Sequence, residues 1–146
     1  MSDLPVIYVL NGPNLNLLGT REPEIYGTET LDDIAGRLED QARGLGLAID
    51  MRQSNHEGHL IDWMHEASSR RAKAILLNAG GYTHTSIAIY DAIKSIAVPV
   101  IEVHLSDPMK REPFRQISYV GMAAVASFAG FGAKSYALAL DAAAKL

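Results

Sequence analysis

The sequence predicts an α/β fold, a five-stranded parallel sheet in the order 2-1-3-4-5 with helices on both faces. Three observations carry that expectation. Short apolar segments of strand type alternate with segments of helical period, five times along the chain. The third of them, residues 74–77, is apolar throughout, as in a strand covered on both faces. Parallel neighbours also need a crossover connection, which is right-handed, and the intervening helical segments supply it.

The elements follow in order. Residues 6–10 are a β-rich apolar run stopped by the turn residues Asn11-Gly12-Pro13. From Leu31 the spacing of Leu31, Ile34, Ala35, Leu38, Ala42 and Leu45 is helical, with Thr30 as N-cap and Gly44 or Gly46 as the stop. Leu47, Ile49 and Met51 then alternate with polar or small neighbours, which predicts a half-buried outer strand. Leu60, Ile61, Met64 and Ala67 mark a second helix, and a third begins near Thr85 or Ser86. Residues 98–105 read as the fourth strand. The last apolar stretch, residues 119–128, reads as the fifth, broken by Gly130 and Gly132 before an Ala-rich helix over residues 133–145. The architecture is flavodoxin-like, and in such sheets ligands bind beyond the carboxyl ends of the strands.

A chain of 146 residues matches one compact domain over 1–146, and 48% hydrophobic with 21% charged residues is the balance of an ordinary globular protein. Thirteen Lys and Arg against 17 Asp and Glu argue against a nucleic-acid partner. The absence of cysteine excludes disulfides, thiolate catalysis and cysteine-held metal, and suits a cytoplasmic protein. No apolar run reaches membrane-spanning length, and the N-terminus lacks a basic leader, so neither membrane nor export is expected.

Polar groups gather at the strand ends. Glu102 and His104 alternate on one strand and leave the same face, so the carboxylate can orient or charge the imidazole. A lone histidine there would more commonly be structural; the glutamate shifts the reading toward an acid–base pair. The loop after the first strand is longer than usual for a βα connection, as lids are. It carries Arg21 and Tyr26, and a phenol works as a base at neutral pH only if a cation stabilises the phenolate. Asn14, Asn78 and His84 suit a polyhydroxylated ligand, though each alone reads as well as a turn or cap residue. Leu105 and Ser106 offer backbone N–H groups, and Arg115 a positive fork for a carboxylate. Arg111 stands one helical turn from Arg115, the spacing of a solvated helix face. His56-Glu57-Gly58-His59 is not the H-E-x-x-H pattern, so no metal site is expected. No lysine falls at a strand's carboxyl end, which speaks against Schiff-base chemistry.

Taken together, the segments 11–23, Tyr26-Gly27, Gln53-Ser54-Asn55, Glu57-Gly58, 78–86 and 101–106 resemble the type II 3-dehydroquinate dehydratases. The resemblance runs from the first strand to the final helix. It implies a cofactor-free hydro-lyase that removes water from 3-dehydroquinate by anti elimination through an enolate, giving 3-dehydroshikimate. This step serves the shikimate pathway of aromatic biosynthesis or quinate breakdown. By resemblance Tyr26 is the base, Arg21 tunes it, His104 is the general acid, Glu102 holds His104, and Asn14 helps bind a water at the enolate oxygen. Asn78, His84 and Arg115 would hold ring hydroxyls, and Leu105 and Ser106 the carboxylate. Asp91 would reach a neighbouring subunit's site in a homododecamer, a tetramer of trimers. The chain departs from the pattern at Asp107, Pro113, Gly121-Met122 and Ser135. The rival reading is a flavodoxin-like nucleotide or flavin binder, but Asn11-Gly12-Pro13-Asn14 lacks the glycines and hydroxyls of a phosphate loop. A phospho-receiver would need an aspartate where Asn78 stands.

Overall fold

The computed structural model describes residues 3–146. Its sheet has five strands in the order β2-β1-β3-β4-β5, all parallel. The elements run β1 (Val6–Asn11), α1 (Pro23–Tyr26), α2 (Leu31–Leu45), β2 (Ala48–Gln53), α3 (Glu57–Ser69), β3 (Ala74–Asn78), α4 (Ile87–Ser95), β4 (Val100–His104), α5 (Tyr119–Ala123), β5 (Ala126–Ala129) and α6 (Lys134–Ala144).

Side-chain alternation along the strands divides the core in two. Ile7, Val9, Leu76, Ile101 and Val103 meet α2 and α6, whereas Tyr8, Leu10, Ile75, Leu77 and Val100 meet α3, α4 and α5. The three inner strands are buried on both faces, which is why β1 and β3 read as continuous apolar runs, while β2 at the edge is only half-buried and alternates. Fully burying one Leu or Ile side chain contributes about 1.5–3 kcal/mol, so the two layers together are the main force holding the helices to the sheet.

Local signals set the helix ends. Thr30 and Asp33 form a reciprocal capping box at the start of α2, and Gly46, at φ 70, ends it, so Gly44 lies inside the helix. Ser86 caps α4. Two expected strands are shorter than their apolar runs. The fourth is confined to Val100–His104. The stretch 119–128 is not one strand, because Ser118 accepts the Gly121 N–H and starts the short helix α5, leaving only Ala126–Ala129 for β5. Among the described residues, no helix is long and apolar enough to cross a membrane.

Candidate active site

The carboxyl ends of the strands carry the site because the apolar alternation runs out there into polar residues. Gln53, Asn11 and Asn78 end β2, β1 and β3 in register, a row of amides on the α2/α6 side. Glu102 and His104 have the opposite parity and leave β4 on the α5 side. The first and third loops come into close contact above this row. A Cβ on Gly12 would sit 2.5 Å from the Ala79 carbonyl oxygen, so only glycine fits that crossing.

A cavity of about 160 Å³ opens over this edge. Asn14, Arg21, Tyr26, Asn78, His84, His104, Leu105, Ser106 and Arg115 all line it, segments that lie far apart in the sequence. Glu102 stands behind His104, buried. Asp91 does not line the cavity of its own chain; it lies exposed on α4. A wider, open groove of about 840 Å³ adjoins the cavity and shares Tyr26, Leu105, Ser106 and Arg111, but contains neither His104 nor Asn78. Tyr26 and His104 therefore meet only at the smaller space.

His104 and Glu102 form a directional pair. The imidazole Nε2–H donates to Glu102 Oε2 at 2.8 Å, since a carboxylate can only accept, and this leaves Nδ1 as the ring's other proton-carrying position. Ser127 Oγ donates to Glu102 Oε1 at 2.6 Å, and Ser118 Oγ donates to Oε2. Burial works against ionisation of Glu102, but His104 and the two serine hydroxyls outweigh it and hold the carboxyl down at about 2. Gly121 has a steric reason here, because a Cβ on it would lie 2.8 Å from Glu102 Oε1.

This carboxylate predicts acid sensitivity. Its folded value lies below its ordinary 4.5, so its stabilisation is complete above pH 4.5 and is lost as the pH falls toward 2. The loss is on the order of 3 kcal/mol. Urea unfolding followed across that window should show a shallower pH dependence for Glu102→Gln than for the unaltered chain. Equal slopes would mean that other groups govern acid unfolding.

On the other side of the cavity, Tyr26 packs against the α2/α6 core and is held by two guanidinium groups. Arg21 lies over its ring, 4.6 Å from the centroid, while Arg111 Nη1 donates to the phenol oxygen at 2.8 Å. The contact to the oxygen is thus made by Arg111, for which the sequence offered no site role and, with Arg115, a solvated helix face as the alternative. No such helix forms: Pro108 and Pro113 each start a separate 3-10 turn, and Arg111 is extended between them. Those two prolines were the available signal. Arg111 also reaches Ser106 Oγ at 3.2 Å.

The polar walls are oriented too. His84 Nδ1–H donates to the Ile117 carbonyl at 2.8 Å, and burial lowers the ring's affinity for a second proton, so Nε2 is kept as an acceptor. Asn14 sits in the left-handed region at φ 70, and its N–H donates to Asn55 Oδ1 at 3.0 Å. Asn78 bonds to Tyr136, a buried residue that the sequence reading did not single out. At the departures from the family pattern, Asp107 accepts the Met109 N–H, Pro113 opens a 3-10 turn, and Ser135 accepts the Phe131 N–H at the start of α6. The rings of His56 and His59 lie 4.7 Å apart, tilted at 57°, with His59 Nδ1 bonded to Ser54 Oγ, and among the described residues no cluster of three or more His, Cys, Asp or Glu could hold a metal.

Comparison with known proteins identifies the family. A family model for dehydroquinase class II matches residues 5–144. The chain is 58% identical over 137 residues to the 3-dehydroquinate dehydratase of Caulobacter vibrioides, covering 94% of this chain and 93% of that one. It is 59% identical over 140 residues to the 3-dehydroquinate dehydratase of Phenylobacterium zucineum, covering 96% of each. The crystal structure of the type II dehydroquinase from Propionibacterium acnes superimposes with a TM-score of 0.94 at 42% identity, covering all (100%) of both chains. With the match spanning every strand and the whole cavity, this chain belongs to the class II dehydroquinase family.

Proposed function

We propose that this chain is a 3-dehydroquinate dehydratase, a hydro-lyase that takes a proton from the carbon beside the ketone of 3-dehydroquinate and expels a hydroxyl group as water. The observation that carries the reading is the placing of a cation-held phenol and a carboxylate-held imidazole on opposite faces of the sheet edge, with one small cavity between them. Anti elimination requires that division, because the proton and the hydroxyl leave from opposite sides of the ring.

Tyr26, as the phenolate, removes the proton. Arg111 at the oxygen and Arg21 over the ring set two positive groups beside the base. The electron pair passes to the ketone oxygen as an enolate, near Asn14. On collapse of the enolate the carbon–oxygen bond breaks, and His104 gives its proton to the departing hydroxyl while Glu102 holds the ring. His84 offers an acceptor to a ring hydroxyl, Arg115 a charged donor, and Leu105 and Ser106 line the place for the carboxylate.

Two further readings accompany this one. We infer that the chain works as a single catalytic domain in a trimer-based dodecamer, with Asp91 completing the site of a neighbour. Its exposed position on α4, together with exposed Ile87 on α4 and Met122 on the adjoining α5, supports this. A cysteine-free chain also suits action in the cytoplasm.

The reaction is tested by its product. Adding 3-dehydroquinate to the purified protein, with no metal or nucleotide, should give the rising ultraviolet absorbance of a conjugated enone. Borohydride added with the substrate should leave activity intact, because no lysine lines the smaller cavity. A flat absorbance trace defeats the proposal, and inactivation by borohydride would replace the enolate with an imine.

A further inference from the structure

Behind the cavity, Asn11, Tyr136 and Asn78 form a buried chain of side chains whose direction can be fixed from one end. Asn11 Nδ2 lies 2.9 Å from the Arg52 carbonyl oxygen and 3.4 Å from that of Val9. Carbonyl oxygens only accept, so the amide nitrogen must face them, and Asn11 Oδ1 faces Tyr136. The Tyr136 hydroxyl donates to that oxygen at 2.6 Å. A phenol has a single proton, so toward Asn78 it can only accept, and it takes an N–H from Asn78 Nδ2 at 2.9 Å. Asn78 Oδ1 is thereby turned to the Gly80 N–H, 3.2 Å away. A flipped Asn78 amide would set oxygen against an oxygen with no proton left to share and N–H against N–H, losing both bonds in a buried place.

We propose that Tyr136 is a positioning residue that sets the polarity of the Asn78 amide, so that this wall of the cavity presents an N–H donor to an acceptor oxygen of the ligand and not a carbonyl. The nitrogen's second hydrogen is the one available, since the first is held by Tyr136 and Asn78 lines the cavity. Burial pushes the Tyr136 phenol far above its ordinary range, so it stays protonated wherever the enzyme can be assayed, and the polarity does not change with pH. His84, which lines the same cavity, has the complementary sense and offers an acceptor. A ligand oxygen that accepts and a hydroxyl that donates would therefore be told apart.

This inference rests on the dehydratase reading, and the test separates the two. Tyr136→Phe should raise KM for 3-dehydroquinate about 10-fold with kcat within about two-fold of the unaltered chain. In an Asn78→Ala background the same change should move KM by less than about two-fold, because the residue through which it acts is gone. A KM that does not move, a loss confined to kcat, or equal rises in both backgrounds would overturn the proposal. Should Tyr136→Phe fail to fold, Asn78→Asp against Asn78→Ala reads the polarity directly. Aspartate offers only acceptors at the same volume, and should bind 3-dehydroquinate at least about 10-fold more weakly than alanine does. Equal or tighter binding by the aspartate variant would overturn it. If the unaltered protein does not turn over 3-dehydroquinate at all, the dehydratase reading fails instead.

Discussion

Tyr26→Phe is expected to lower kcat by about 10³-fold or more while KM stays within about three-fold. Phenylalanine keeps the ring, its packing against the α2/α6 core and its place under Arg21, and removes only the oxygen that receives the Arg111 N–H at 2.8 Å. Substrate would still be enclosed, but nothing on that side could take the proton. Arg111→Ala is the companion measurement. It leaves the phenol and removes the cation at its oxygen, so turnover should fall by a smaller factor, about 10²-fold. If Tyr26→Phe weakens binding instead and kcat holds, Tyr26 is a structural part of the lid. If Arg111→Ala is silent, Arg21 alone tunes the base.

His104→Ala should lower kcat by about 10²–10³-fold, through loss of the proton given to the leaving hydroxyl. Glu102→Gln should cost less, since the ring remains and only its orientation and charge partner are weakened; about 10-fold is expected. The informative measurement is the double variant. Glu102 reaches the reaction only through the 2.8 Å bond to His104, so adding Glu102→Gln to His104→Ala should change kcat little further. Independent, multiplying losses would show that Glu102 acts on substrate by a route of its own and would remove the pairing from the mechanism.

The fold was largely legible before any coordinates. Continuous apolar runs at β1 and β3 and the alternation in β2 mark two inner strands and an edge, because burial on two faces or on one leaves that mark. Thr30, Gly46 and Ser86 placed helix ends through local hydrogen bonds and backbone preference. The fifth strand was misjudged for the same kind of reason. An apolar run shows burial, not secondary structure, and a cap at Ser118 made half of it helical.

What the sequence by itself determined was the alternation of strand and helix, and hence the sheet, and the presence of a lid phenol and a strand-end Glu–His pair at the edge where such sheets bind ligands. Only the tertiary structure decided which cation meets the phenol and which buried tyrosine orients Asn78. Arg111 bonds to a residue 85 positions away, and Tyr136 to one 125 away. Patterning and capping act over a few residues, so they leave a trace in local sequence. A contact across the sheet edge depends on where two distant elements come to rest, and no local period records it.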